Sequence, residues 1–324
     1  EGAYHPNNRG FDHFSGFLGG SRSYFPNPQD DAPGQPGAVM LNQTYTSFEG
    51  YYTDVLADQT VDFIEANRDS PFFAFLSFNA VHTPMEARED DLARFAGHPR
   101  QTLAAMTWAM DRAVGNVLDS LRENGLTERT LIFFLSDNGG AITNDSDNGA
   151  LKGWKGNKFE GGHRVPMIVQ WEGHIEGGRT FDGLVSAVDI LPTAVGVTGE
   201  TVVFEKALDG VDLLPYLQGT SLGNPHEILF WRKEDEAAVR QDKWKLIHLD
   251  DFGYVLYDLG KDLGETEDVK ERSPEKFEEL KSLLMGWKSQ LMEPLWHEPE
   301  PWLEVTWEIH EALMQNKQPM RNHP

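Results

Sequence analysis

Two short apolar runs on either side of a long amphipathic stretch constrain the fold of this chain more than any other feature. Residues 72–78 read FFAFLSF and residues 131–135 read LIFFL, and such runs are typical of strands covered on both faces in a parallel sheet. Between them, apolar residues recur at steps of three and four from Leu103 to Leu121, before Gly125, which predicts an amphipathic helix. Strand, helix and strand in succession predict a βαβ unit with parallel strands. The chain is therefore expected to fold as an α/β protein.

Polar residues follow each of these predicted strands. His82 comes shortly after the first, and Asp137 and Asn138, followed by Gly139 and Gly140, come directly after the second. The carboxyl ends of parallel strands meet at one edge of a sheet, which is where open α/β sheets bind ligands. A carboxylate and a carboxamide are hard oxygen ligands suited to a divalent cation. Asx–Gly pairs also form ordinary tight turns, so a metal site and a turn both remain open for this tetrapeptide.

His82 is a candidate general acid. An imidazole can donate a proton to a leaving oxygen near neutral pH, and such catalysis typically contributes about 10²–10⁴-fold. The chain has 11 histidines, and His163 is the strongest rival among the others. A surface histidine without a catalytic role is the alternative interpretation of His82.

A segment rich in lysine and glycine follows the second predicted strand. It contains Lys152, Lys155 and Lys158 together with Gly153, Gly156, Gly161 and Gly162. Glycines allow the backbone to approach a tetrahedral oxyanion closely, and a lysine supplies a fixed positive charge, so sulfate and phosphate both fit. The spacing to a Ser or Thr that a Walker A loop needs is absent. A solvated, flexible loop without a ligand is the alternative.

A cluster of short acidic and amide side chains precedes the lysines. Asn144, Asp145, Asp147 and Asn148 are close in sequence. The glycine and the terminal glutamate of a calcium loop are absent at the required spacing. These residues are therefore predicted to form a solvated turn.

The rest of the chain divides into further predicted elements. A helix is predicted from Thr53, a strand over residues 167–171, and a helix within residues 185–197. Beyond Pro225, short strands at 228–232, 238–240, 244–249 and 254–259 predict an antiparallel meander, and a helix starting at Ser273–Pro274 has an apolar stripe that can cover one of its faces. We expect residues 1–220 to belong to a large α/β domain and residues 221–324 to form a smaller subdomain with a tail.

Composition excludes several functions. Against 28 lysines and arginines the chain has 52 aspartates and glutamates, a net charge of −24, which would repel nucleic acids. No stretch reaches the roughly 18 apolar residues needed to span a membrane. The absence of cysteine rules out disulfides and a cysteine nucleophile within these residues. Composition does not set the oligomeric state.

Six segments, taken in order, resemble the type I sulfatases of the alkaline phosphatase superfamily. They are SFNAVHTP, FLSDNGG, KGNKFEGGHRVPMI, SAVDILPT, LDGVDLLP and LYDLGKDLGE, and the opening YHPNNRGFDHFSGFLGG fits the same family. The resemblance extends to about Trp287. It implies an alkaline-phosphatase-like α/β fold, with a mixed, largely parallel sheet flanked by helices and a smaller C-terminal antiparallel α+β subdomain.

The resemblance also implies an activity and a site. Sulfatases of this type hydrolyse sulfate esters of aryl or carbohydrate substrates with a divalent cation, usually calcium. In this chain, Asp137 and Asn138 would bind the metal together with an aspartate pair further upstream. His82 would contact the sulfate ester and protonate the leaving group, and Lys155 would bind sulfate. A periplasmic or secreted location is suggested by the same resemblance.

One departure from the family pattern qualifies this interpretation. The family's nucleophile is a formylglycine made within a C/S-x-P/A-x-R signature, and these 324 residues contain no such pentapeptide. The chain is therefore expected to be the C-terminal portion of a longer enzyme and to be inactive alone. A phosphate or phosphonate ester hydrolase of the same superfamily, and a non-catalytic protein that binds sulfated glycans, are the alternatives.

Overall fold

The computed structural model describes residues 2–317, and strands and helices alternate irregularly along them. The strands are β1 (Ser15–Gly16), β2 (Met40–Leu41), β3 (Thr44–Tyr45), β4 (Ile132–Leu135), β5 (Met167–Gln170), β6 (Ile228–Lys233), β7 (Glu236–Gln241), β8 (Trp244–Leu249) and β9 (Gly253–Asp258). The α-helices are α1 (Pro28–Asp31), α2 (Tyr52–Asn67), α3 (Glu89–Arg94), α4 (Gln101–Glu123), α5 (Glu160–His163), α6 (Ile190–Thr198), α7 (Leu214–Leu217), α8 (Pro274–Lys288) and α9 (Glu300–Met314).

The described residues form two compact units. One is built from residues 2–129 with 143–145, and the other from residues 130–142 with 146–317. The boundary at residue 220 that the sequence suggests stays a prediction, since it divides the chain by composition and pattern. In the described part of the chain, no helix is both long and apolar enough to cross a membrane.

The first unit is organised around the packing of α2 against α4. Both helices are those that the apolar periodicity predicts, and α4 extends over 23 residues. Met106 and Ala109 of α4 are wholly buried beside Tyr24 and Tyr51. A second cluster of buried side chains, which includes Tyr52 and Leu56, lies along α2. Large aromatic side chains therefore supply much of the apolar area that holds this unit together.

The strand predicted at residues 72–78 is not formed. No strand pairs with this segment within residues 2–317, so it runs without a sheet partner. Leu76 and Phe78 pack against the cluster along α2, whereas Phe73 and Phe75 are 60% and 73% exposed. The alternation of side chains is that of a strand, but only one face is covered. Because the strand is missing, the expected parallel βαβ unit is wrong for the described residues.

In the second unit, β4 forms a two-stranded sheet with β5. The two strands are antiparallel, and Leu135 at the end of β4 lies opposite Met167 at the start of β5. Both strands occur where the sequence predicts them. This pairing places the segment that precedes β5 beside the end of β4, so residues 136–140 and residues 160–166 become neighbours.

Four strands form the antiparallel meander predicted after Pro225, in the order β6-β7-β8-β9. Side chains alternate between its two faces. On one face, Leu246 and Leu256 pack against Leu280 and Leu284 of α8, which is the helix predicted to begin at Ser273–Pro274. On the other face, a second cluster that includes Ile247 contains Trp154 and Phe159 of the lysine- and glycine-rich segment. The meander is thus the support on which that segment lies.

The C-terminal helix α9 packs through Leu313, which joins the same cluster as Trp154. Three tryptophans between residues 296 and 307 keep much of their surface exposed to solvent. Trp296, Trp302 and Trp307 are 79%, 43% and 41% exposed.

Candidate active site

The end of β4 carries the predicted metal ligands. Asp137 is exposed, and no hydrogen bond or ion pair from residues 2–317 engages its carboxylate. Asn138 donates its side-chain Nδ2 to the carbonyl of Gly139 at 2.9 Å, which leaves its Oδ1 as an acceptor. Ser136 donates its hydroxyl to the backbone carbonyl of Asn138 at 2.8 Å. Two neighbouring residues with side-chain oxygen donors therefore lie on a short, internally bonded turn.

Glycine is required immediately after these two residues. The backbone N–H of Gly139 donates to the carbonyl of Gly162 at 3.0 Å, and a Cβ at Gly139 would overlap the carbonyl oxygen of Gly161. A Cβ at Gly140 would overlap the side chain of Ser146. Any larger residue would push apart the end of β4 and the glycine-rich segment, so these glycines fix where Asp137 and Asn138 lie.

Asn148 crosslinks two parts of the loop, a role that the sequence analysis did not assign. Its Oδ1 accepts from the backbone N–H of Gly140 at 2.9 Å, and its Nδ2 donates to the carbonyl of Gly153 at 2.9 Å. The neighbouring Asn144 is buried. The predicted solvated turn is therefore only partly correct: Asp145 and Asp147 are exposed, but the two asparagines are structural.

Burial separates the three lysines that the sequence left as equivalent candidates. Lys152 donates to the carbonyl of Glu265 at 2.8 Å, and burial lowers its pKa to about 8. Lys158 is 6% exposed, and burial lowers its pKa to about 8 as well. Lys155 is exposed, and its backbone N–H donates to the carbonyl of Gly140 at 3.1 Å. Lys155 is thus the lysine whose side chain reaches solvent next to the turn that carries Asp137.

A fully buried ion triad anchors this segment to the meander. The ammonium of Lys245 on β8 lies 2.9 Å from Oε1 of Glu160 and 2.9 Å from Oε1 of Glu265. All three side chains are inaccessible to solvent. The backbone N–H of Glu160 also donates to Oε2 of Glu265 at 2.7 Å. These bonds tie the start of α5 directly to the sheet.

A neighbouring arginine also contacts the carboxylate of Glu160. Arg240 on β7 lies opposite Lys245 in the register of the sheet and contacts Oε2 of Glu160 at 2.9 Å. Burial alone would raise the pKa of Glu160, but the charges of Lys245 and Arg240 lower it to about 2. Burial raises the pKa of Glu265, and the charge of Lys245 opposes this shift. Lys245 and Arg240 therefore hold Glu160 in its ionised form.

His163, the rival histidine, has a structural role. Its ring stacks on Trp231 with the ring centres 4.2 Å apart, and its Nε2–H donates to the carbonyl of Lys158 at 3.1 Å. Burial and the charge of Lys245 lower its pKa to about 3. The ring is neutral at physiological pH, so it is not a proton donor for catalysis.

His82 belongs to the first unit and is held by its own loop. A carbonyl can only accept, so the 2.8 Å contact between Nδ1 and the carbonyl of Thr83 assigns a proton to Nδ1. The hydroxyl of Tyr24 donates to the backbone carbonyls of His82 and Asn79, at 2.9 and 2.6 Å. Tyr24 is wholly buried, and burial raises its pKa. The loop therefore orients the imidazole from both its side chain and its backbone.

The predicted site residues fall into two groups. Asp137, Asn138 and Lys155 lie in the second unit and are joined through the backbone of Gly139 and Gly140. His82 lies in the first unit, and the sheet edge expected to carry it is not formed within residues 2–317, because residues 72–78 make no strand. Tyr24, Arg22 and Trp154 are buried residues that pack within the two units.

The chemistry of these donors fits a hard divalent cation in part. A carboxylate and a carboxamide oxygen suit calcium, which takes 6–8 oxygen ligands. Within residues 2–317, no group of three or more His, Cys, Asp or Glu side chains is arranged to hold a metal ion. Asp137 and Asn138 therefore supply part of a coordination shell.

Comparison with known proteins identifies the fold and the family. The solved structures similar to this chain have the α/β fold of the alkaline-phosphatase-like hydrolases. A family model described as Sulfatase matches residues 1–200, and one described as N-sulphoglucosamine sulphohydrolase, C-terminal, matches residues 153–292. The chain belongs to the sulfatase family, as the sequence motifs predicted.

Curated relatives match over part of their length. The uncharacterized sulfatase YdeN of Escherichia coli (strain K12) is 33% identical over 235 residues, which cover 70% of this chain and 40% of that protein. Steryl-sulfatase of Homo sapiens is 36% identical over 187 residues, which cover 55% of this chain and 31% of that protein. The chain thus spans less than half the length of these relatives.

Solved structures match over more of the chain. The crystal structure of Ps i-CgsB has a TM-score of 0.85 at 31% identity and covers 96% of this chain and 73% of that one; the same protein has been solved in complex with k-i-k-neocarrahexaose. BT4656, solved with its substrate D-glucosamine-2-N,6-O-disulfate, has a TM-score of 0.71 at 18% identity and covers 87% and 76% of the two chains. The second likeness concerns the fold alone.

Proposed function

We propose that the protein containing this chain is a sulfuric ester hydrolase that cleaves a sulfate monoester of a carbohydrate. The observation that carries the proposal is the solvent-exposed Lys155, bonded through its backbone to the turn that presents Asp137 and Asn138. Membership of the sulfatase family supports the reaction. The oligosaccharide bound to Ps i-CgsB, which is 31% identical to this chain, supports a carbohydrate substrate.

Each residue has a proposed part in the reaction. Lys155 binds the sulfuryl oxygens and offsets the negative charge that they carry, as a positioned cation does in an oxyanion site. His82 carries one proton on Nδ1, held by Thr83, so a second proton on Nε2 is the one that it donates to the departing alcohol oxygen. This proton transfer from His82 releases the alcohol product in its neutral form.

A divalent cation and a formylglycine would complete the proposed site. Asp137 and Asn138 would bind a divalent cation, with calcium best matched to oxygen donors of this kind; a bound cation polarises the sulfuryl oxygens. A formylglycine, expected in an upstream segment, would supply the nucleophile. Each of these is part of the proposal for the full-length protein.

Paired ester substrates test the function. We expect the full-length protein to hydrolyse 4-methylumbelliferyl sulfate at least about a hundredfold faster than the matching phosphate, since a site tuned to one tetrahedral group distinguishes its charge. A glucosamine 6-sulfate would serve as the carbohydrate substrate in the same assay. Faster cleavage of the phosphate would instead support a phosphate ester hydrolase. Binding of sulfated sugars without cleavage of any ester would support a non-catalytic binding protein.

A further inference from the structure

A basic depression lies on the second unit. It has a volume of about 450 Å³ and is lined by Arg164, Arg240 and Lys243, with Asp242 and Gly260 beside them. The three cations come from different places in the chain: the residue after α5, the strand β7 and the turn between β7 and β8. Asp137, Asn138 and Lys155 do not line it.

Three cationic side chains and one anionic side chain line this depression, and Lys243 also lies 3.8 Å from the carboxylate of Asp258. Arg240 and Arg164 contact the same oxygen of the buried Glu160, at 2.9 and 3.4 Å, and that carboxylate also serves Lys245. Asp242 is the one anionic side chain of the lining. The concentration of cations is unusual in a chain with a net charge of −24.

The two guanidinium groups are close enough to repel each other. Burial lowers the pKa of Arg240, and the charge of Arg164 lowers it further, while Glu160 opposes the shift. The side chains of Arg164 and Lys243 remain 48% and 45% exposed. An anion entering from solvent would contact the exposed side chains of Arg164 and Lys243. Its negative charge would offset the repulsion between Arg164 and Arg240.

The side chains that line the depression can bind a sulfate group. Guanidinium groups bind tetrahedral oxyanions through paired N–H donors, and lysine adds a point charge. A Cβ at Gly260 would lie 3.2 Å from Cδ of Lys243, so a glycine here lets the backbone approach that side chain closely. Leu259 and Leu263 provide apolar surface beside the cations. The volume lies within the usual range for small-molecule sites, roughly 300–1,000 Å³.

We propose that this depression is a second anion site, which binds a sulfate group of a sulfated oligosaccharide apart from the site of cleavage. The choice of sulfate over phosphate rests on the proposed function. Such a site would hold a polymeric substrate during successive reactions. It would also recognise free sulfate by the same chemistry, so the test must separate the two sources.

Calorimetric titration of the full-length protein with defined probes provides the test. The probes are a heparin hexasaccharide, its desulfated counterpart and sodium sulfate. We expect the Arg164→Gln, Lys243→Gln double variant to bind the sulfated hexasaccharide about tenfold more weakly, as loss of two charge contacts predicts. The desulfated hexasaccharide should not bind. Lys261→Gln is the matched control, because Lys261 lies 3.8 Å from Asp258 as Lys243 does, but is outside the depression.

Kinetics distinguish this proposal from the proposed function. The double variant should raise KM for a sulfated oligosaccharide about tenfold and leave kcat and the turnover of a small aryl sulfate unchanged. Lys155→Ala should instead abolish turnover of both substrates. Unchanged hexasaccharide binding in the double variant would overturn the second site even if the enzyme is a sulfatase. Loss of free sulfate binding alone, with hexasaccharide binding intact, would overturn the carbohydrate assignment.

Discussion

Replacing Lys155 by alanine is expected to lower the sulfatase turnover of the full-length protein at least about a hundredfold, and replacing His82 should have an effect of the same size. Of the three lysines in the glycine-rich segment, Lys155 alone is exposed, whereas Lys152 is half-buried and bonded to the carbonyl of Glu265, and Lys158 is buried. Initial rates with a sugar sulfate measure both losses. Lys261→Ala, at a lysine whose side chain is 81% exposed, is the control and should retain the parent rate.

The leaving group separates the two roles. A phenolate with electron-withdrawing groups departs without protonation, whereas a sugar alkoxide does not, so the loss in His82→Ala should be much smaller for 4-nitrophenyl sulfate than for a sugar sulfate. The loss in Lys155→Ala should be similar for both, because that lysine contacts the sulfuryl group. Equal losses for both substrates in His82→Ala would exclude the proposed proton transfer.

The second large effect concerns the buried triad. Lys245→Met should reduce the free energy of unfolding by about 3–5 kcal/mol, because it leaves Glu160 and Glu265 buried without their shared cation. Breaking one partner of a buried ion network costs far more than the network itself contributes. Urea denaturation of the full-length protein measures the change.

A neighbouring lysine provides the control for this experiment. Lys243 is two residues from Lys245, and its side chain is 45% exposed. The effect of Lys243→Met on the free energy of unfolding should therefore stay within about 0.5 kcal/mol. If Lys245→Met and Lys243→Met had similar small effects, the triad would not be what fixes the segment containing Lys155 to the meander.

The amphipathic elements of this fold were the most predictable part. The helices α2, α4 and α8 and the strands of the meander occur where their apolar spacing places them, because one buried face imposes a period on the sequence. Residues 72–78 misled the prediction for a physical reason. An apolar run specifies burial, but a strand also needs a neighbour to satisfy its backbone, and residues 2–317 supply none.

Within the candidate site, the sequence identified the residue types but not their burial. Spacing alone could not choose Lys155 over Lys152 and Lys158, and the family resemblance made that choice. The triad was missed altogether. One signal was available: Lys245 has the same alternating position as Ile247 and Leu249, which predicts an inward lysine, and such a lysine requires a carboxylate partner.

Calcium titration by calorimetry tests the central claim, that the end of β4 forms the metal side of a sulfatase site. The full-length protein should bind one calcium ion, and Asp137→Asn should weaken binding at least about a hundredfold, since it removes a charged oxygen ligand. Asp147→Asn, an exposed aspartate of the nearby loop, should leave the affinity unchanged. Retained affinity in Asp137→Asn, or its loss in Asp147→Asn, would contradict the assignment of Asp137 and Asn138 as metal ligands.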